Sequence, residues 1–196
     1  LDYFDVKGHF AWKSHSSWVC KVKDGKRAAP ETVPLVRVHE FPFLVINQHR
    51  LAVVALDVDE PAPGIVGLDE DTYSRLGMAV PNYAINTSGD RFQTFHLLAD
   101  PIPRKNATER SLRFFADVRD KLGYLLNADP ACNASGAVRN PWYRKARVVP
   151  FHKRLYSLSE LNPHGVRIDG KAFREWSQQY YKGNRNNAVF LFALSE

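Results

Sequence analysis

The chain has 196 residues, enough for one sizeable domain with a small appendage, and its 44% hydrophobic and 12% aromatic content excludes a disordered chain. A net charge of +6 and a pI near 9.4 favour an anionic partner, nucleic acid first. Two cysteines, Cys20 and Cys132, exclude a disulfide framework and fit a reducing cytoplasm, and no apolar run or N-terminal pattern suggests a membrane span or signal peptide.

Residues 1–34, which open on Leu1 rather than Met as a fragment or trimmed chain would, are rich in Lys, Ser and aromatics and show no clear period. Residues 35–39 and 43–47 are short β-like runs of Val, Leu and Phe. The apolar stretch 51–59 is the strongest predicted strand, followed by a loop at Pro61-Ala-Pro-Gly64 and a short helical pattern over 69–76. Residues 82–86, 87–90 and 91–98 read as strand, turn and returning strand. Asn106 followed by Glu109 is a capping-box pattern that opens a long helix to about Asn127, with Phe115, Val118, Leu122 and Leu125 as its buried stripe. A strand over 147–151 comes next, then a second capping box at Ser157 and Glu160. The last predicted helix, 169–182, carries Phe173, Trp176 and Tyr180 and ends at Gly183, before an apolar segment over 188–194. Strands interspersed with long helices make the chain α+β or α/β.

Chemistry concentrates at the end of the strongest strand. Side chains alternate along a strand, so Asp57 and Asp59 project from one face while Leu56 and Val58 point the other way. Two carboxylates this close repel unless a cation sits between them, and hard oxygen donors suit Mg²⁺ or Mn²⁺. The plainer reading is a solvated strand end. On the returning strand, Arg91, Gln93 and Phe95 share a face, and His96 falls on the opposite one unless a bulge brings it round. Arg144, Lys145, Arg147, Lys153 and Arg154, interleaved with Trp142, Tyr143 and Phe151, suit a single-stranded template path in which cations track phosphates and rings stack on bases. A solvated basic face is the alternative.

Several short motifs follow one another in order: Leu56-Asp-Val-Asp59, Pro81-Asn-Tyr-Ala-Ile-Asn86, Ser88-Gly89, Leu97-Leu-Ala-Asp-Pro101, Lys121-Leu-Gly123 with Ala128-Asp129, Ser135-Gly136 and Arg139-Asn-Pro141. Together they resemble the catalytic core of the archaeo-eukaryotic primase superfamily, and more closely the Rep replicase-primases of colicin-type plasmids. The C-terminal run Gly183-Asn-Arg-Asn-Asn187, with Phe190 and Ala193, is similar to the start of the helical PriCT element, so the likeness covers roughly residues 40–196. It implies an α+β fold, a mixed or antiparallel sheet flanked by helices, with a catalytic domain over 1–165 and a short helical extension over 166–196. It also implies nucleotidyl transfer, in which Asp57, Asp59 and Asp129 are the catalytic acids and hold two Mg²⁺ or Mn²⁺ ions.

The superfamily commonly has a His on the second strand. The matching position here is Gln93, so Arg91 and Gln93 are the expected triphosphate contacts, with His96 the other candidate or else a histidine packed on the long helix. Arg139 and Asn140 are expected near the nucleotide, Asn140 more as a loop former, and Asp129 competes with a simple Asp-Pro turn. Trp142, Arg144, Lys145, Arg147, Lys153 and Arg154 become the DNA-contacting set. The implied partners are single-stranded template, nucleoside triphosphates and plasmid origin DNA, the last through a helical C-terminal part mostly beyond Glu196. A sugar-nucleotide transferase, a metal-dependent nuclease and a non-catalytic origin-binding module remain as rivals.

Overall fold

A computed structural model of the chain describes residues 9, 16–23, 26–27, 31–46, 49–61, 64–66, 69–130 and 137–183. The segment expected over 188–194, the PriCT-like run beyond Gly183 and Ser135-Gly136 lie outside those residues. In chain order the strands are β1 (Ser16–Cys20), β2 (Val22–Lys23), β3 (Lys26–Arg27), β4 (Glu31–Pro34), β5 (Phe43–Val45), β6 (Arg50–Val58), β7 (Tyr83–Ser88), β8 (Arg91–Pro103), β9 (Ala137–Arg139) and β10 (Arg147–Pro150). The helices are α1 (Glu70–Arg75), α2 (Glu109–Leu126), α3 (Leu158–Leu161) and α4 (Gly170–Gly183).

The side-chain alternation of β6 decides the layering. Val53 and Ala55 enter one core with Tyr83, Ile85, Phe95 and Leu97, whereas Val54, Leu56 and Val58 enter another with Phe92, Leu98, Phe115, Val118 and Leu122. A strand covered on both faces reads as an unbroken apolar run, and 51–56 is one. A register shift between Leu51 and Val53 sets the two faces. The central sheet has the order β10-β7-β8-β6, and every pairing in it is antiparallel. A second antiparallel sheet, β4-β1-β5-β9, supplies Val19, Val33, Leu44 and Val138 to the first core. The α helices supply the second. The fold is therefore α+β, as expected, but one face of the central sheet is covered by a sheet rather than by helices.

Some boundaries move. Residues Leu35–Glu40 form a 3₁₀ helix instead of a strand, with only Val38 buried and Arg37 paired to Glu40 at 2.7 Å. Residues three apart eclipse one another in that geometry, which favours this pair. The cap of α2 is Thr108, whose Oγ1 accepts the Ser111 N–H at 3.2 Å, while Asn106 belongs to a preceding 3₁₀ turn. Leu126 rather than Leu125 completes the fully buried stripe. The second capping box, Ser157 with Glu160, forms as predicted. Asn82 explains its own motif: its Oδ1 accepts the Leu97 N–H at 2.7 Å and its Nδ2 donates to the Arg154 carbonyl at 2.6 Å, tying the start of β7 to the segment after β10. Among the described residues, no helix is long and apolar enough to cross a membrane.

His96 lies opposite Val54, on the helix-facing side of β8, fully buried, with Nε2 donating to the Ala79 carbonyl at 3.1 Å. Burial pushes its pKa down from 6.5 to about 4. The unfolded chain therefore takes up this proton at higher pH than the folded one. Stability is fully present above pH 6.5 and falls as pH drops toward 4. The loss attributable to this one group is up to about 3 kcal/mol. Urea midpoints at neutral and mildly acid pH should fall more steeply for the wild type than for His96→Gln; parallel pH dependences would contradict the assignment.

Candidate active site

Asp57 is the last residue of β6 on the sheet-facing side before the strand ends at Val58, and it stands directly across from Gln93. It is half-buried, and Asp59, one residue past the strand, is exposed. The third acid arrives from the far end of α2. That helix stops because Asn127 adopts the left-handed conformation (φ 54°, ψ 40°), which Asn tolerates better than most residues. The chain then turns back: the Ala128 N–H bonds to the Gly123 carbonyl at 2.8 Å and the Asp129 N–H to the Asp57 carbonyl at 2.7 Å. Asn127 adds a side-chain bond from Nδ2 to the Glu60 carbonyl at 2.8 Å. The end of α2 is thus stitched to the continuation of β6 by two hydrogen bonds. Asp59, Glu60, Asn127, Ala128, Asp129 and Pro130 line the resulting cleft of about 210 Å³.

Asp57, Asp59 and Asp129 therefore lie on adjoining backbone, although among the described residues no three His, Cys, Asp or Glu side chains are gathered tightly enough to hold one ion. Like charges hold apart unless a cation sits between them. The donor set, carboxylate oxygens in an open cleft, fits Mg²⁺ or Mn²⁺ in kind.

Next to this acidic end lies a basic one. Gln93 is buried, and its Oε1 accepts the Arg139 N–H at 2.8 Å. That bond links the central sheet to β9. The Arg139 guanidinium rests 4.7 Å from the centre of the Phe43 ring, a cation–π contact. Asn86, Thr87, Arg139, Tyr143 and Lys145 are among the residues lining a groove of about 90 Å³ whose lining contains no carboxylate. Arg91 is exposed at the hairpin between β7 and β8.

Other expected site residues are placed elsewhere. His96 faces the helices, away from Asp57, because no bulge interrupts the β6–β8 register between Val53 and Val58. Asn140 is wholly buried and spends its amide on the backbone, Nδ2 donating to the Val38 and Phe41 carbonyls (2.7 and 2.8 Å) and Oδ1 accepting the Trp142 N–H at 2.9 Å. It shapes the loop after β9. Trp142 is packed in the core between the sheets, so its ring is not offered to a base. The basic cluster is split by the β7–β10 register. Arg147 lies opposite Asn86 at the acidic end of the sheet, and Arg144 and Lys145 precede it, all three exposed. Lys153 and Arg154 lie beside Asn82, whose neighbour Leu97 is four residues along β8 from Gln93, about 13 Å away. Arg154 is also paired with Glu160 and stacked over Tyr156.

Sequence reasoning passed over Asn127, whose signal is an Asn closing a long amphipathic helix. Asn127→Ala should lower stability by about 1–2 kcal/mol, through left-handed strain and the lost bond to Glu60. Asn127→Gly, free of the strain, should lose less. Urea denaturation of the two variants checks this; equal losses would contradict the strain.

Residues 14–164 match the sequence pattern of the Replicase family. Among solved structures, the AEP domain of the cyanophage S-2L primase-polymerase is similar, with TM-score 0.51 and 14% identity over 81% of this chain and 91% of that one. The catalytic domain of primase RepB′, solved in complex with initiator DNA, aligns with TM-score 0.43 and 16% identity over 88% of this chain and 89% of that one. No protein of curated function matches the chain. With three quarters of its length matched by that pattern, the chain belongs to the Replicase family, and its fold is that of an archaeo-eukaryotic primase catalytic domain.

Proposed function

We propose that the chain is the catalytic part of a plasmid replication protein that synthesises a primer on single-stranded DNA by nucleotidyl transfer in the cytoplasm. The observation that carries this reading is the junction of β6 with the end of α2, where the Asp129 N–H bonds to the Asp57 carbonyl at 2.7 Å. That junction sets the acids far apart in sequence beside one another, next to a groove lined by Arg139 and Lys145.

In this reading Asp57, Asp59 and Asp129 provide the oxygen donors for Mg²⁺ or Mn²⁺. Ions held there would supply the lowered pKa of a primer 3′-hydroxyl and the neutralisation of charge on the triphosphate. The protein's own part is positioning. Gln93 holds the Arg139 backbone across from Asp57, and the Arg139 guanidinium presents a planar fork to phosphate. The groove beside it serves the initiating nucleotide, since a primase must bind one where no primer exists. Arg91 at the hairpin tip is a further triphosphate contact. Arg144, Lys145 and Arg147, exposed at this end of the sheet, neutralise template phosphates. Residues 1–165 form the catalytic domain and 166–196 begin a helical part that recognises origin DNA.

Asp57→Ala or Asp59→Ala should abolish template-dependent oligonucleotide synthesis and leave single-stranded DNA binding nearly intact. Primer synthesis at the wild-type rate by the double variant would overturn the assignment of the acids. Incubating labelled single-stranded DNA with Mn²⁺, with and without nucleotides, separates extension from the shortening that a nuclease would give.

A further inference from the structure

The helix α4 (Gly170–Gly183) lies beyond the residues matched to the family pattern, yet it reaches the candidate active site. Asp169 starts it, its Oδ1 accepting the Lys171 and Ala172 N–H groups at 2.7 and 3.1 Å. Nearly two turns in, Trp176 is buried against α2. Its indole Nε1–H donates to the Ala128 carbonyl at 3.0 Å. Its ring lies so close to Gly123 that a Cβ there would stand 3.1 Å from two ring carbons. Tyr124 and Phe173 pack around it with ring centroids 6.0 and 5.7 Å away.

The carbonyl of Ala128 and the N–H of Asp129 belong to one peptide unit, which is planar. Trp176 holds the carbonyl side of that plane, and the Asp57 carbonyl, 2.7 Å from the Asp129 nitrogen, holds the other. Rotation of the plane breaks both bonds together. The orientation of this plane sets the direction in which the Asp129 side chain leaves the backbone. We propose that Trp176 is a positioning residue for Asp129, clamping the Ala128–Asp129 peptide so that the carboxylate is presented to the cation shared with Asp57. This inference rests on the reading of Asp129 as a cation ligand. It also assigns a purpose to Leu122-Gly123 and Ala128-Asp129: the glycine admits the indole, and the alanine carbonyl receives its proton donor.

The test uses the 196-residue chain and Mn²⁺ with a non-hydrolysable nucleoside triphosphate, followed by isothermal titration. Trp176→Phe keeps an aromatic ring and removes only the donor. It should weaken Mn²⁺ uptake about five- to tenfold, the worth of one neutral hydrogen bond. Single-stranded DNA affinity should not change, and the melting temperature should move by only a few degrees. In synthesis assays the variant should need more metal and recover its rate when metal is saturating. Asp129→Asn is the companion variant. If it loses Mn²⁺ uptake while Trp176→Phe binds as the wild type does, the positioning role is overturned and the ligand reading stands. If Asp129→Asn itself binds Mn²⁺ as the wild type does, the ligand reading fails, whatever Trp176→Phe shows. Where Trp176→Phe does not fold, Gly123→Ala decides in its place, because the added Cβ, 3.1 Å from two ring carbons, crowds the indole with every donor intact: weakened uptake supports the clamp and wild-type uptake overturns it.

Discussion

One backbone hydrogen bond, from the Asp129 N–H to the Asp57 carbonyl at 2.7 Å, holds the candidate site together. It joins the end of a strand to the end of a long helix, the two places where Asp57 and Asp129 leave the backbone. The surrounding contacts serve it. Asn127 turns the helix end through the left-handed region and reaches Glu60, and Trp176 braces the same peptide from behind. None of these contacts is large on its own, since a neutral hydrogen bond contributes about 1 kcal/mol net. Their effect is geometric, because they act on a few consecutive peptide units.

The layers explain why the site lies where it does. The central sheet is covered on both faces, so β6 stays apolar until it runs out from under its neighbours. On β6 the first sheet-facing side chain past that cover is Asp57. Gln93 stands beside it, still buried, and uses its amide oxygen to hold β9. Through that bond the second sheet brings Arg139 to the central one. The outcome is an acidic cleft of about 210 Å³ and a carboxylate-free groove of about 90 Å³ flanking one row of the sheet. Cations and phosphates are suited to such neighbours.

Much of this was legible in the residues. The stretch over 51–59 was readable because its length and β-branched content suit a strand buried on both faces, and Ser157 with Glu160 because a capping box is local. The order of short motifs pointed to the superfamily fold. What was not legible depended on burial or register. Asn140 and Trp142 carry chemistry that suits a nucleotide or a base, and only the packing of the two sheets shows that both are enclosed. The five basic residues over 144–154 look like one patch in the sequence, and the β7–β10 register divides them. Of the second sheet only the run over 43–47 was readable, because its strands are three to five residues long and two of them precede any clear period. Thr108 displaced Asn106 as the helix cap because both are good caps and the choice depends on where the preceding turn ends.

The most direct measurement of the central claim is a crystal structure of the chain with Mn²⁺ and a non-hydrolysable nucleoside triphosphate, with the metal located by its anomalous signal. The account predicts Mn²⁺ at about 2.1 Å from carboxylate oxygens of both Asp57 and Asp129 and in contact with the triphosphate. Metal and nucleotide bound away from these two residues, or an Asp129 carboxylate turned out of the cleft in that complex, would contradict it.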